Sequence, residues 1–447
     1  MLRPRCRRPR NLLERSWRIL LLELRSQNWI KKLGQRNERW RAAQRYGTRQ
    51  DFSHNGSFHE AVGAVLVMAQ CFCVMPVRGI LASTPDGLSF SWHSWRTWYC
   101  VGYMCTTVLD TIFTINQVVH GKLDVRNMEP IIFHVSILLA SVQFLHLARK
   151  WPKLMHQWAC VEQGLPKFEN WQQREHLARK IHRVTFVLMM LSLTEHLLSI
   201  VSAIHFANYC PARKDPIESY FYSSGSQIFF IFPYSAWLAW LGKAQNVLLT
   251  FGWSFMDIFV MIIGIGLSEL LARHTICLKS HAERDMSEAF WTSTRTQYRL
   301  IVELIIEVDE AVSGLIMLSF ANNLYFICLQ LLKSINKMPS MAHAVYFYFS
   351  LSFLLIRSLA VLLYVSAVNE RANEPLGLLR LVPAATYNEE VARFGNELAG
   401  EEVALSGLRF FSVTRKLVLT VAGTIVTYEL VLIQFHEDEK EWHCGTD

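Results

Sequence analysis

Acids, amides, hydroxyls and a histidine lie on one helical face of several strongly apolar segments of this sequence. In segments 97–119, 183–206 and 246–270 they recur every three or four residues, the spacing of a single helix face, and 308–333 carries a shorter cluster. Such groups are expensive inside a bilayer unless they face a partner or a wet cavity. The candidate ligand-binding residues on these faces are Thr107, Asp110, Glu195, His196, Asn246, Trp253, Asp257, Asn322 and Tyr325.

Together these groups have the chemistry of a sugar site. A carboxylate accepts hydrogen bonds from two neighbouring hydroxyls, and an aromatic ring covers the C–H face of a sugar. The alternative is hydrogen bonding between helices, with Glu195 and His196 paired structurally. A catalytic role for His196 with Asp257 is disfavoured because no nucleophile motif accompanies them, and we expect no enzymatic activity. Arg357 is expected to reach the interface or to pair with an acid.

A second pattern lies in segment 416–435, which is about long enough to cross a bilayer core of about 30 Å. Its polar residues form one stripe on an otherwise apolar helix, and hydroxyls and amides are costly when they face lipid. Periodicity alone leaves two interpretations open: a helix–helix interface (a seam) stabilised by hydrogen bonds of the threonines, or the lining of a pore. The residues of the stripe are Thr420, Thr424, Thr427, Val431 and Gln434.

The composition indicates a membrane protein. Of 447 residues 51% are hydrophobic, and the mean hydropathy is +0.18. The first sixty residues hold fifteen of the 45 Lys and Arg, which in a membrane protein is typical of a cytoplasmic tail rather than of nucleic-acid binding. The ten cysteines include no CxxC pair and no zinc-like spacing, so we expect no metal site and no cofactor.

Charge predicts which hydrophobic segments cross the membrane. The basic connection 149–182 belongs inside, the acidic tail fits the outside, and the basic N-terminus belongs inside. Three hydrophobic segments lie between the N-terminus and this connection, and two ends on the same side of the membrane require an even number of spans. One of the three therefore does not cross. We expect it to be 61–80, which contains Pro76, and to be interfacial or buried in protein. Seven spans of an all-α fold result, with a cytoplasmic N-terminus and an extracellular C-terminus. The eight hydrophobic segments lie near 61–80, 97–119, 130–148, 183–206, 246–270, 308–333, 343–367 and 416–435.

The predicted organisation follows from these segments. The outer connection 207–245 is aromatic and suggests a lid that dips toward the membrane, and Asn388 to Leu398 has an amphipathic helical pattern. The predicted regions are a basic cytoplasmic arm (1–57), a cytoplasmic or interfacial pre-helix (58–96) and six transmembrane helices with an outer ligand pocket (97–367). They continue with a cytoplasmic anchor segment (368–415), the pore-lining seventh helix (416–435) and an extracellular acidic tail (436–447).

The C-terminal helix resembles the signature of the insect gustatory receptor family: Thr427 and Tyr428, five mostly apolar residues, then Gln434 and Phe435. More narrowly, the chain is similar to the sugar-sensing branch from about Phe58 to Phe435. The blocks that carry this resemblance are AQCFCVMPVRGI, TEHLLSIVSAI, WSFMDIFVMIIGIGLS, NNLYFICLQLL and AGTIVTYELVLIQF.

The resemblance implies a non-selective cation channel with the insect odorant and gustatory receptor channel fold, gated by a mono- or disaccharide. It implies a homotetramer, or a heteromer with other sugar gustatory receptors, in the lipid of the plasma membrane of gustatory neuron dendrites. Four seventh helices would line the pore, with Gln434 and Phe435 at the outer gate and Thr427 and Val431 deeper.

Two other classes remain open. A metabotropic seven-helix receptor would place the N-terminus outside, which the basic arm disfavours. A transporter would show internal repeats, and the sequence has none. Cys210 and Cys444 would both lie outside in the predicted topology, which allows a disulfide between them.

Overall fold

The computed structural model describes residues 56–121, 128–166, 171–209, 215–282, 284–335, 338 and 340–434, all within one compact unit, Phe52–Asp447. Most of the basic arm, the acidic tail, Phe435, Cys210 and Cys444 lie outside the described residues, and so do the predictions made for them.

Long helices dominate the described chain, as the sequence predicts. The first part contains α1 (Phe58–Cys71), α2 (Trp95–His120), α3 (Glu129–Gly164), α4 (Trp171–Tyr209), α5 (Pro216–Ser224) and α6 (Ser226–Phe229). The second part contains α7 (Ala236–His281), α8 (Glu288–Ser334), α9 (Met341–Leu379), α10 (Glu389–Gly400) and α11 (Arg415–Gln434). A two-stranded antiparallel hairpin, β1 (Ser406–Gly407) and β2 (Phe411–Ser412), precedes α11.

Five of the described helices are long and apolar enough to cross a membrane: α3, α4, α7, α8 and α9. The first and seventh predicted spans are the single helices α2 and α11, of 26 and 20 residues. At about 1.5 Å per residue both reach the roughly 30 Å of a bilayer core. The sixth predicted span is α9, which continues past its predicted end. It accommodates Pro375 and runs to Leu379, within the predicted anchor segment.

The early segment is a short helix packed inside the protein. At 14 residues α1 spans about 21 Å, less than a bilayer core. Phe58 is fully buried and stacks on Trp158 of α3 with ring centroids 4.0 Å apart. Gly266 of α7 makes room, because a Cβ there would lie 2.5 Å from the Phe58 ring. The face of α1 that carries Phe58 is therefore buried in protein, one of the two predicted environments.

The central helix is α7, which is buried along most of its apolar length and packs most extensively against α9. The close approach of α7 to α9 requires Gly264, since a Cβ there would lie 2.6 Å from the carbonyl oxygen of Tyr364 on α9. Polar side chains on this buried helix must therefore find partners on its neighbours.

Two helices are much longer than a membrane crossing requires, and the anchor helix packs on one of them, α8, and on α9. At 46 and 47 residues, α7 and α8 are each about 70 Å long. The predicted amphipathic helix is α10, which is capped by Asn388 and buries Val391, Phe394 and Leu398.

Charge pairs fix α10 to α8. Arg295 of α8 lies 2.8 Å from both Glu390 and Glu397. Burial acts to raise the pKa of Glu390, but hydrogen bonds from Arg393 and Arg295 outweigh it, and the net pKa is lowered. The carboxylate of Glu390 is therefore stabilised in its charged form by the docked arrangement.

Candidate ligand site and pore-helix surface

Two short helices, α5 and α6, occupy the aromatic connection between α4 and α7; together we call them the cap. Asp215 caps the start of α5, because its carboxylate accepts a 3.0 Å hydrogen bond from the Ile217 N–H. Pro216 is the first residue of the helix, a position that proline favours. Phe221 and Phe229 are buried in an apolar cluster with residues of α4 and α7. The cap therefore packs onto the bundle and covers one end of it.

Asp110 lies beneath the cap and is only 8% exposed. His134 Nε2 is 3.0 Å from its Oδ2, and Gln227 of α6 donates from Nε2 to its Oδ1 at 3.2 Å. His134 Nδ1 also lies 2.7 Å from the Pro130 carbonyl oxygen. Because a carbonyl only accepts, His134 donates from Nδ1 to Pro130, which fixes the ring with Nε2 toward Asp110. We call Asp110, His134 and Gln227 the cap cluster.

The cap cluster continues along α2 and α7. Gln245 donates from Nε2 to the Thr107 hydroxyl oxygen at 2.9 Å. A cavity of about 20 Å³, enough for about one water molecule, lies against Asp110. Its polar and aromatic lining comprises Asp110, Gln227, Lys243, Asn246, Phe221 and Phe229.

Asp257 lies in a different place, in the centre of α7, and is 1% exposed. Arg357 Nε of α9 is 2.9 Å from its Oδ2, and two side chains of α8 donate to it: Ser319 Oγ at 2.5 Å and Asn323 Nδ2 at 3.2 Å. Arg357 therefore pairs with an acid, one of the two roles predicted for it. We call Asp257, Ser319, Asn323 and Arg357 the core cluster.

Trp253 connects the core cluster to the neighbouring aromatic residues. The Arg357 guanidinium lies 5.7 Å from its ring centroid, in a cation–π arrangement. Its ring also meets Phe326 edge-on at 4.6 Å and lies 5.5 Å from Phe133, the residue before His134. Trp253 thus lies within a packed contact path between the cap cluster and the core cluster.

Glu195 belongs to a third polar group, between α4, α8 and α9. Ser350 donates to its Oε1 at 2.5 Å, and Gln330 donates to the Ser350 hydroxyl at 3.1 Å. His196 faces elsewhere, as adjacent helical residues do.

The remaining predicted ligand residues lie on α8. Asn322 Oδ1 accepts from Ser136 of α3 at 2.6 Å, and the Tyr325 ring packs edge-on against Phe326. Several buried atoms have no hydrogen-bond partner within the described residues, so polar capacity remains near both residues. They include His196 Nε2, Asn322 Nδ2, Asn323 Oδ1, the Tyr325 hydroxyl and Gln330 Oε1.

The nine predicted residues are therefore distributed over several polar groups rather than one pocket. Thr107, Asp110 and Asn246 meet at the cap, whereas Asp257 and Glu195 have separate partners. Sequence reasoning missed several partners: His134, Gln227, Gln245, Ser319, Ser350 and Lys243. For Lys243 a signal existed, because it lies three residues before Asn246 and continues its helix face.

The stripe on α11 faces away from the rest of the chain. Thr420, Thr424, Thr427, Val431 and Gln434 are all exposed. Within the described residues, each threonine hydroxyl donates to the carbonyl four residues earlier in its own helix, at 2.9–3.1 Å, and to no neighbouring helix. A seam of threonines against the chain's own helices is therefore excluded for this stripe.

The opposite side of α11 packs on α8 and α9, where Ile425 meets a cluster containing Phe326, Ile327, Leu329 and Leu354. Exposed hydroxyls on one side and apolar packing on the other are suited to a helix that borders water or a second protein chain. With its apolar helices, the described fold is that of a multi-pass membrane protein.

Comparison with solved structures defines the class. The chain has the fold of the insect olfactory receptor OR5 from Machilis hrabei. The complex of that receptor with eugenol superposes with a TM-score of 0.66 at 15% identity, over 87% of this chain and 100% of that one. The ligand-free receptor gives a TM-score of 0.65, also at 15% identity, over 84% and 98% of the respective chains.

Comparison of sequences defines the family. Residues 27–444 match the trehalose receptor family. The chain is 60% identical over 424 residues to gustatory receptor 5a for trehalose of Drosophila melanogaster, covering 95% of each chain. It is 46% identical over 396 residues to gustatory receptor for sugar taste 64f of the same species, covering 89% of this chain and 84% of that one. The chain belongs to the trehalose receptor family, within the sugar-sensing gustatory receptors, which are sensory receptors and not enzymes.

Proposed function

We propose that this chain is the subunit of a sugar-gated, non-selective cation channel. The ligand binds at the cap cluster, and four α11 helices surround a central pore. The exposed stripe of α11 carries the proposal, because all five of its residues are exposed and its hydroxyls meet no other helix in the part of the chain that the structure describes. In a bilayer such a surface requires water or another subunit.

The cap cluster supports a sugar as ligand. Asp110 accepts from His134 and Gln227, both of which are groups that sugar hydroxyls can replace. Phe221 and Phe229 supply aromatic surface beside the carboxylate. The names of the two Drosophila relatives make trehalose the first sugar to test.

Binding requires movement of the cap. The cavity of about 20 Å³ is far smaller than the roughly 300 Å³ at which small-molecule pockets begin. A sugar therefore displaces α6, breaks the hydrogen bond from Gln227 to Asp110 and takes its place. The free energy available for opening is only the difference between sugar binding to the open and closed states, so responses at millimolar concentrations are expected.

The aromatic contacts provide a route from the sugar to the pore. Phe133 is adjacent in sequence to His134 and contacts Trp253, and Trp253 packs against Phe326. Ile425 of α11 packs on that same cluster. A shift of α3 at the cap thereby reaches α11 through direct contacts. Four such helices turn together, and hydrated cations pass between them.

The orientation proposed for the chain places the N-terminus in the cytoplasm and the cap outside. The charge distribution supports it, because the basic connection 149–182 lies at the opposite end of α3 and α4 from the cap. Sugars then reach the cap without crossing the membrane.

The test is current through the purified chain reconstituted in liposomes, first with trehalose and then with a panel of other mono- and disaccharides. We expect a sugar-evoked cation current without any G protein. Sugar binding with no current from the assembled protein would overturn the channel proposal and favour a metabotropic receptor.

A cysteine pair tests the pore surface. In Thr424→Cys a cationic thiol reagent applied from the water should block the current, because residue 424 lies on the stripe. Leu419→Cys is the matched control, since Leu419 is 76% exposed on α11 but lies on a different helix face. The wild-type chain treated with reagent corrects for exposed Cys71 and Cys105. Equal block of both variants would contradict a pore along the stripe.

A further inference from the structure

A second cavity lies far from the cap cluster, where α11 begins. It has a volume of about 360 Å³, within the range of about 300–1,000 Å³ seen for small-molecule sites. Its walls come from α8, α9, the β-hairpin and α11, and they are almost entirely apolar. The lining includes Phe320, Leu324, Leu362, Phe411, Leu417 and Val421.

One polar group on this wall lacks a partner. Asn323 lines the cavity, is 5% exposed, and donates from Nδ2 to Oδ2 of Asp257. Because a carboxylate paired with Arg357 can only accept, this bond fixes which end of the amide is the oxygen. Asn323 Oδ1 has no hydrogen-bond partner within the described residues and is itself covered, so a ligand reaches it when the side chain turns toward the cavity. A buried carbonyl oxygen without a donor costs free energy, which a ligand donor would recover.

We propose that this cavity is a second ligand site, which binds a small amphiphile: an aliphatic chain with one hydroxyl that donates to Asn323 Oδ1. A medium-chain alcohol such as 1-octanol has this chemistry. Its chain fills the apolar volume against Leu417 and Val421, and its hydroxyl satisfies the amide oxygen.

Other ligand classes fit less well. A sugar would bury many hydroxyls against apolar walls that offer them no partners. A hydrocarbon would fill the cavity but leave Asn323 Oδ1 unpaired. Among the lining residues only Asn323 and Ser358 are polar, and Ser358 already donates to the Leu354 carbonyl oxygen at 2.7 Å. A single hydroxyl on an apolar chain matches this wall.

Two features make the site independent of the proposed sugar site. It shares no lining residue with the cavity at the cap. Its ligand contacts α11 directly, through Leu417 and Val421. Occupancy would therefore act on α11 directly, without displacing any residue that lines the cavity at the cap.

The test is photolabelling of the purified full chain in phospholipid nanodiscs with a diazirine-bearing octanol, mapped by mass spectrometry. Neither sugar nor current is needed, so failure here is distinguishable from failure of the channel proposal. We expect labels on the parts of α8, α9 and α11 that line the cavity. Excess 1-octanol should remove them, and 1-chlorooctane, which has the same chain without a donor, should compete at least fivefold more weakly.

Variants that fill the cavity complete the design. Ala321→Phe on α8 and Val421→Phe on α11 narrow it from two walls and should each lower labelling at least fivefold. Ile356→Phe is the matched control, because Ile356 is 58% exposed on α9 and does not line the cavity. Melting curves identify any variant that fails to fold. If one of the two filled variants does so, labelling of the other gives the result.

Three outcomes would overturn the proposal. Equal labelling of the filled variants and the control would mean that the alcohol binds elsewhere. Equal competition by 1-chlorooctane would remove the role of Asn323 and with it the ligand class. Labelling of the cavity by a diazirine phospholipid that 1-octanol cannot displace would show that a lipid acyl chain occupies it.

Discussion

Asp110 and Asp257 are both buried carboxylates on apolar helices, yet their partners differ in kind. Asp257 pairs with the Arg357 guanidinium of α9 and accepts from two donors on α8, all on long helices of the bundle. Asp110 contacts the His134 ring and an amide on a four-residue helix of the cap. The first set of partners is permanent, and the second can be exchanged.

This difference indicates what each acid does. Asp257 joins α7, α8 and α9 at the centre of the bundle, so its removal affects the structure as a whole. Asp110 holds the cap closed over a small cavity, so its removal affects binding. Buried charge by itself therefore does not identify a ligand residue; the identity of its partners does.

The largest expected effect is that of Asp257→Asn. The change leaves Arg357 buried without a counter-charge, and loss of one partner of a buried ion pair costs about 3–5 kcal/mol. We expect a large fall in melting temperature and in the amount of protein at the cell surface. Asp257→Leu combined with Arg357→Met should recover much of the stability, because no unpaired charge remains. Normal stability of Asp257→Asn with loss of the sugar response would instead make Asp257 a ligand residue, as the sequence predicts.

The second effect is that of Asp110→Asn on the sugar response. Loss of a charge-assisted hydrogen bond is worth about 1.5–3 kcal/mol, so the half-maximal sugar concentration should rise about tenfold or more. Surface expression should be nearly unchanged. Asp215→Asn is the matched control, because asparagine caps a helix as well as aspartate does. An unchanged dose–response curve for Asp110→Asn would place the sugar elsewhere.

A smaller effect of opposite sign is expected for Gln227→Ala. This residue competes with the sugar for Asp110 through a 3.2 Å hydrogen bond, which is longer than a strong charge-assisted bond and is worth about 1 kcal/mol. The half-maximal sugar concentration should fall by a few fold. Ser226→Ala, one residue away on α6, breaks only a 3.5 Å contact with Gln117 and should change little. A rise for Gln227→Ala would mean that this amide binds the sugar itself.

The smallest effect concerns an acid outside the membrane helices. The pKa of Glu390 is lowered in the docked state, because hydrogen bonds from Arg393 and Arg295 outweigh the effect of burial. The contribution of Glu390 to the stability of docked α10 is therefore complete above the ordinary glutamate pKa. It is lost as the pH falls through the lowered pKa. Hydrogen exchange, corrected for intrinsic rates, should show less protection of α10 at acidic pH.

Variants of two arginines on α8 test whether the protection of α10 depends on Arg295. Arg295→Gln should reduce protection of α10 at neutral pH and weaken its pH dependence. Arg299→Gln is the control, since Arg299 lies 3.7 Å from Glu397 and is half exposed. Equal effects of both variants would show that Arg295 has no special role in docking.

Much of the fold could be predicted because lipid imposes simple rules. Long apolar runs predicted the long helices, the three-and-four spacing predicted their polar faces, and the pattern from Asn388 to Leu398 predicted α10. The end of α9 was less predictable, since this helix continues past Pro375 into polar sequence. The partners of the polar faces could not be predicted, because spacing gives the face of a helix but not the neighbour that it meets.

The sequence by itself determined that this chain is a helical membrane protein of the sugar-sensing gustatory receptor family, because hydropathy and the C-terminal signature are local properties. Only the tertiary structure separated Asp110 from Asp257 and placed the threonine stripe on an exposed surface. Both facts depend on which helices meet at angstrom distances, and residues such as Asp257 and Arg357, one hundred positions apart, acquire their roles only through that contact.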